Sequence, residues 1–133
     1  MAFVVLLGRV LFSFLFLLTP IHHFAPQAVG YAAQHGVPAA GLLVPLSGIV
    51  AGIGGVLILL GYHARIGAWL IVLFLAPVTV VMHNFWAVSD PMTAAMQEAM
   101  FLKNLSMLGA ALLIAYFGPG PLSLDERRNK GQR

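Results

Sequence analysis

The chain has 133 residues, 60% of them hydrophobic and only 8% charged, with a formal net charge of +3 and a mean hydropathy of +0.93. A soluble domain carries about a quarter charged residues and buries too little surface at this size to hide such a composition, so the bilayer is its natural solvent. Absence of cysteine removes thiolate catalysis and Cys-held zinc or iron–sulfur centres. Four of the seven cations (Arg127, Arg128, Lys130 and Arg133) crowd the last seven residues, which is not the basic folded face that nucleic acid requires.

A spanning helix needs about 20 mostly apolar residues. The first such run extends from Phe3 to Thr19 and is expected to stop at Pro20. No Lys or Arg precedes it and Arg9 interrupts it, unlike a cleaved signal, so it is expected to remain as a span. Arg9 can snorkel, or pair with Asp125 or Glu126 as a structural lock. His22 and His23 end this span. Beyond them, "FAPQAVGYAAQHGVP" predicts a helix of about ten residues, opened by Pro26 and closed by Gly36. It is too short to cross and reads as interfacial or re-entrant.

The second run, Leu42 to Leu60, places Gly48, Gly52 and Gly55 at i, i+4 and i+7, beside Ser47, Ala51 and Gly54. Small residues let membrane helices approach closely, so this predicts a packing seam; a face admitting a flat ligand is the alternative. The third run is Ile66 to Met82, with Pro77 a candidate bend and Phe85 and Trp86 at the level of an aromatic belt. The fourth is Ala94 to Phe117. Ser89 or Asp90 caps it with Pro91 at the first helical position, and Gly118-Pro119 stops it through a left-handed cap.

The predicted fold is therefore all-α: a polytopic four-transmembrane-helix bundle over residues 1–120 with a short interfacial helix in the first outer loop. Residues 121–133 form a basic cytoplasmic tail. Loops 20–41 and 83–97 contain no Lys or Arg, whereas the short second loop holds Arg65 and the tail holds four cations. The positive-inside rule then puts both termini in the cytoplasm.

Lys103 is the sharpest polar feature, expected on the order of 10 Å below the outer surface. At 100° per residue it shares a stripe with Met96, Met100, Met107 and Ile114, while Glu98 lies nearly opposite. Ionisable residues at depth usually face a bundle interior or a wet cavity. With His83, Asn84, Trp86 and Asn104 at a similar level, the candidate ligand site is His83, Asn84, Trp86, Met100, Lys103, Asn104 and Met107, with His22 and His23 as secondary outer candidates. The alternative is a lysine snorkelling over ordinary core methionines. Adjacent histidines diverge by about 100° on a helix and Glu98 faces away, so neither a metal nor bis-histidine haem is expected.

"GRVLFSFLFLLTPIHHF", "YAAQHGVPAAGLLVPLSGIVAGIGGVLILLGYHARIGA", "MHNFW" and "MFLKNLSMLGAALLIAYFGPGPLSLD" together resemble the DoxX family of small bacterial inner-membrane proteins. That resemblance implies a four-helix membrane bundle with both termini inside, a quinone-linked redox system, and a soluble or membrane oxidoreductase partner. Where the family often carries a glutamate in the second span, this chain has Ala51 ahead of Gly54-Gly55. Three functions follow as expectations: a quinone- or lipid-linked redox component, a non-catalytic anchor or scaffold for a soluble oxidoreductase, and a small-solute transporter. The last lacks an inverted repeat or paired broken helices.

Overall fold

The computed structural model describes residues 1–131. They form α1 (Ala2–His23), α2 (Pro26–Gln34), α3 (Ala40–Leu60), α4 (Ala64–Met82), a 3₁₀ turn (Phe85–Ala87), α5 (Pro91–Phe117) and α6 (Leu124–Gly131). Helices α1, α3, α4 and α5 are long and apolar enough to cross a membrane, and the protein is an all-helical, four-span membrane protein. The start of α1, α6 and the α3–α4 turn lie at one end of the bundle, with α2 and the 3₁₀ turn at the other. Helix α1 packs on α3, α3 on α4 and α4 on α5, around a core of Phe16, Ala51, Ile58, Ala68, Ile71, Phe74, Leu75, Ala111 and Ala115.

Backbone proximity sets this packing. A Cβ on Gly48 would fall 2.6 Å from His23 Cβ, on Gly52 2.7 Å from Pro20 Cγ, and on Gly55 3.1 Å from Phe16 Cβ. These three glycines therefore form the α3 surface against which α1 lies. A second close approach joins α3 to α4: Cβ atoms on Gly54 and Gly67 would each lie 2.9 Å from the other residue's carbonyl oxygen. Contacts of this kind replace the apolar burial that lipid makes worthless as a driving force.

Several boundaries move from those the sequence predicts. Helix α1 runs through Pro20 to His23; proline forgoes one backbone hydrogen bond, and its ring fills the hollow over Gly52. Asp90 starts α5, its carboxylate accepting from Thr93 N at 2.8 Å and Thr93 Oγ1 at 2.6 Å. Those bonds, the hydroxyl's first, hold the Asp90 carboxyl below its ordinary range. Gly118 ends α5 at φ 83° and ψ −171°, a region open essentially to glycine alone, in place of the expected left-handed cap.

The segment expected as a basic tail begins by docking. Ser123, 3% exposed, accepts from Glu126 N at 3.2 Å and so caps α6. Asp125 reaches the α3–α4 turn, where Oδ1 accepts from His63 N at 2.9 Å and Oδ2 from Ala64 N at 3.1 Å. A carboxylate at a helix N-terminus satisfies orphan N–H groups and opposes the macrodipole. Arg9 is 4% exposed and donates from Nη2 to Leu122 O at 2.6 Å and Pro121 O at 3.4 Å. It bonds these carbonyls in place of the expected Asp125 or Glu126, because both carboxylates are engaged with backbone N–H groups.

Candidate functional site

Between their contact at Gly54–Gly67 and their far ends, α3 and α4 leave a cleft of about 570 Å³ roofed by α2. Its α3 wall includes Leu43, Leu46, Ser47 and Val50, and its α4 wall Leu73, Phe74, Pro77 and Val81. Leu43, Leu46, Leu73 and Val81 are each partly exposed on the bundle's flank, so the cleft faces the hydrocarbon region. The roof is held by burial of Ala32 against Ala40 and Val44, with Ala28, Val29, Val37 and Met82 around them. This size falls within the range of small-molecule sites.

A polar chain closes the α2 end. His83 Nδ1–H donates to Gln97 Oε1 at 2.8 Å, and Gln97 Nε2–H donates to Tyr31 Oη at 3.1 Å. Tyr31 stacks obliquely on His35, whose Nδ1–H donates to Tyr31 O at 2.9 Å. The chain thus ties the α2 roof to α5 across the end of α4. His23, Tyr31, Ser47 and His83 are the polar side chains lining the cleft.

The sequence-derived candidates separate into two groups. His83 and His23 line the cleft, whereas Asn84, Trp86, Met100, Lys103, Asn104, Met107 and His22 do not. Trp86 and Phe85 pack on Phe101, ring centroids 5.9 and 5.5 Å away, which seats the 3₁₀ turn on α5. Asn84 begins that turn, its carbonyl accepting from Ala87 N at 2.9 Å. Asn104 is 5% exposed and shares the buried face of α5 with Ala111 and Ala115.

Lys103 is exposed; its Nζ donates to Met100 Sδ at 3.4 Å, and His83 is engaged by Gln97 instead. The reason is rotational. The face of α5 turned toward α4 carries Gln97, Phe101, Asn104, Leu108, Ala111 and Ala115, one residue (100°) away from the expected methionine stripe. Small Ala111 and Ala115 permit the close approach, leaving Met96, Met100 and Lys103 outside. His83 meets Gln97, so Lys103 sits six residues, or about 9 Å, further along α5. Helical side chains lean toward the helix N-terminus, which here carries the amine back to Met100 Sδ. Lys103→Met is expected to change stability by less than about 0.5 kcal/mol, read by thermal unfolding in detergent. A loss of several kcal/mol would show that the amine holds a partner.

Tyr31 and Gln97 were not among the residues the sequence singled out. Their signal was the seven-residue spacing of 97, 104 and 111 on α5, and a tyrosine on a helix too short to span. Among the described residues, no group of three or more His, Asp or Glu could hold a metal ion.

Fold and cleft together define a small polytopic membrane protein with a laterally open apolar cavity beneath an interfacial helix. The chain belongs to the SURF4 family, whose profile matches residues 1–130. It is similar to the inner membrane proteins YphA and YqjF of Escherichia coli K12. YphA is 32% identical over 99 residues, 74% of this chain and 70% of that protein. YqjF is 33% identical over 100 residues, 75% and 71% of the two chains. The Surfeit locus protein 4 homolog of Drosophila melanogaster is 29% identical over 85 residues, 62% of this chain but 31% of the fly protein. No solved structure matches.

This assignment corrects the DoxX resemblance. The motifs behind it now have structural work: "HNFW" forms the turn seated on α5, "FLKNL" carries the α5 face that buries Asn104, and "SLD" docks on the α3–α4 turn. None of these placements implies redox chemistry. The expected quinone cofactor and oxidoreductase partner rested on the resemblance and lose that support with it.

Proposed function

We propose that this protein resides in a bacterial inner membrane with both termini cytoplasmic, and binds a bilayer amphiphile in the α2–α3–α4 cleft without transforming it. The observation that carries the reading is the cleft itself. It has about 570 Å³ of largely apolar space, a flank open to lipid, and polar side chains gathered toward the α2 end. An acyl or isoprenoid chain would lie along Leu46, Val50, Leu73 and Pro77, with its polar head near His83 and Tyr31. The inner-membrane relatives support the location, and the Lys/Arg asymmetry between loops supports the orientation.

Photo-crosslinking tests the binding. A monoacylglycerol carrying a diazirine in its chain is expected to label Leu46, Val50, Leu73 and Val81 saturably in nanodiscs. Labelling that instead tracks lipid exposure, spread over Leu7, Leu11, Leu102 and Leu113, would mean ordinary annular lipid and overturn the proposal. For the orientation, reporters fused at Gln34 and Ser89 are expected to read external, and one after Lys130 internal; an internal reading at Ser89 would reverse the topology.

A further inference from the structure

The polar side chains lining the cleft are not a neutral mixture of donors and acceptors. His23 Nδ1–H donates to Thr19 O at 2.9 Å, and Ser47 Oγ–H donates to Val44 O at 2.7 Å. Carbonyl oxygens only accept, so both protons are committed inside the protein. His23 in its neutral form is thereby fixed with Nε2 as a lone pair, and Ser47 likewise has only lone pairs left. His83 repeats the arrangement, its Nδ1–H held by Gln97 Oε1 at 2.8 Å. Pro77 adds to it, because proline has no N–H for the carbonyl one turn earlier at Leu73, and both residues line the cleft. Tyr31 differs: its hydroxyl accepts from Gln97 and retains its own proton.

We infer that the cleft selects amphiphiles whose polar part carries hydrogen-bond donors, hydroxyl or ammonium, over acceptor-only heads such as esters or oxidised quinone rings. This rests on the cleft being a binding site and deepens that reading. The physical cause is asymmetric. A donor-bearing head satisfies the lone pairs of His23, Ser47 and His83, which the single proton of Tyr31 cannot all satisfy. An acceptor-only head finds one proton, that of Tyr31, and otherwise faces lone pairs of its own kind, leaving polar groups unpaired in a dry site. An oxidised quinone would therefore be a poor occupant.

The test compares two probes of equal chain, monoolein with two hydroxyls and methyl oleate with none, as competitors of the diazirine label. It is run on the purified protein at pH 8, above the ordinary histidine range of about 6.5. Monoolein is expected to displace the label at about tenfold lower concentration, the worth of one well-made hydrogen bond. His83→Phe keeps a ring at that position and is expected to narrow the ratio while preserving displacement by both probes. Ser47→Ala removes a second acceptor site independently, and is expected to narrow the ratio too should His83→Phe fail to fold.

Equal displacement by the two probes, with labelling still confined to the cleft, would overturn the donor preference and leave the binding reading standing. Stronger displacement by methyl oleate would also overturn it, and would mean that the Gln97 amide is reversed and His83 Nε2 is a donor. Displacement by neither probe, with label spread over the lipid-facing surface, would remove the binding site itself.

Discussion

Gly54→Leu is expected to be the most damaging single substitution in the membrane core. A Cβ at that position would stand 2.9 Å from the Gly67 carbonyl oxygen and 2.8 Å from Ile71 Cδ1. The isoleucine can turn away but the carbonyl belongs to the α4 backbone, so the whole helix must move. Overpacking of this kind costs about 3 kcal/mol, roughly 10 °C in melting temperature for a chain of this size. Gly109→Leu is the matched control, since nothing lies within 4 Å of a Cβ there. It should leave the melting temperature unchanged or raise it slightly, because leucine is the better helix former. Equal effects of the two substitutions would mean that α3 and α4 do not touch at Gly54.

The contrast between these glycines also marks how far the sequence carries. Four spans, the α2 helix, the Asp90 cap and the glycine-rich character of α3 are legible, because each depends on local composition and local backbone demands. The rotation of α5 is not. A lysine and three methionines at helical spacing look like an interior stripe, but in lipid the apolar side chains gain little by turning inward. Ala111 and Ala115, small enough for close contact, decide which face meets α4; Met96, Met100 and Lys103 then face out, while Met107 and Ile114 of the same stripe still pack on the edge of the core. Met100 and Lys103 entered the candidate site on the strength of that stripe. His83 was legible because it ends a span; its partner Gln97, and the Tyr31 that Gln97 bonds in turn, lie 14 and 52 residues away in sequence, and only the fold brings them together.

Arg9→Ala is expected to release the segment that follows α5. The guanidinium is the donor for two carbonyls, Leu122 O and Pro121 O, and hydrogen bonds to a charged group contribute about 1.5–3 kcal/mol. Burial works against this, because Arg9 Nε and Nη1 have no protein partner; the net loss should fall toward the lower end of that range. Its location is the more telling readout. With the carbonyls unpaired, the Ser123–Asp125 contacts to the α3–α4 turn loosen together. Limited trypsin digestion at Arg127 and Arg128 should then accelerate several-fold while the spans stay intact. Arg9→Lys, which keeps the charge but not the planar fork, should be intermediate. Unchanged cleavage in Arg9→Ala would mean that Asp125 alone secures the segment through His63 N and Ala64 N.

These two contacts explain why the cleft lies where it does. Backbone contact at Gly54–Gly67 and the docked segment around Gly61 fix α3 and α4 together at the terminal end, so any space between them opens toward α2. A crystal structure of the protein grown from a lipidic cubic phase of monoolein would show whether that cleft holds an amphiphile. The host lipid is itself a donor-bearing amphiphile, present in excess. The expected result is elongated density between Val50 and Pro77, with its polar end within hydrogen-bonding distance of His83 or Ser47. A cleft closed by Leu46 and Leu73 packed against each other, with lipid ordered only on the outer faces of α1 and α5, would contradict the account.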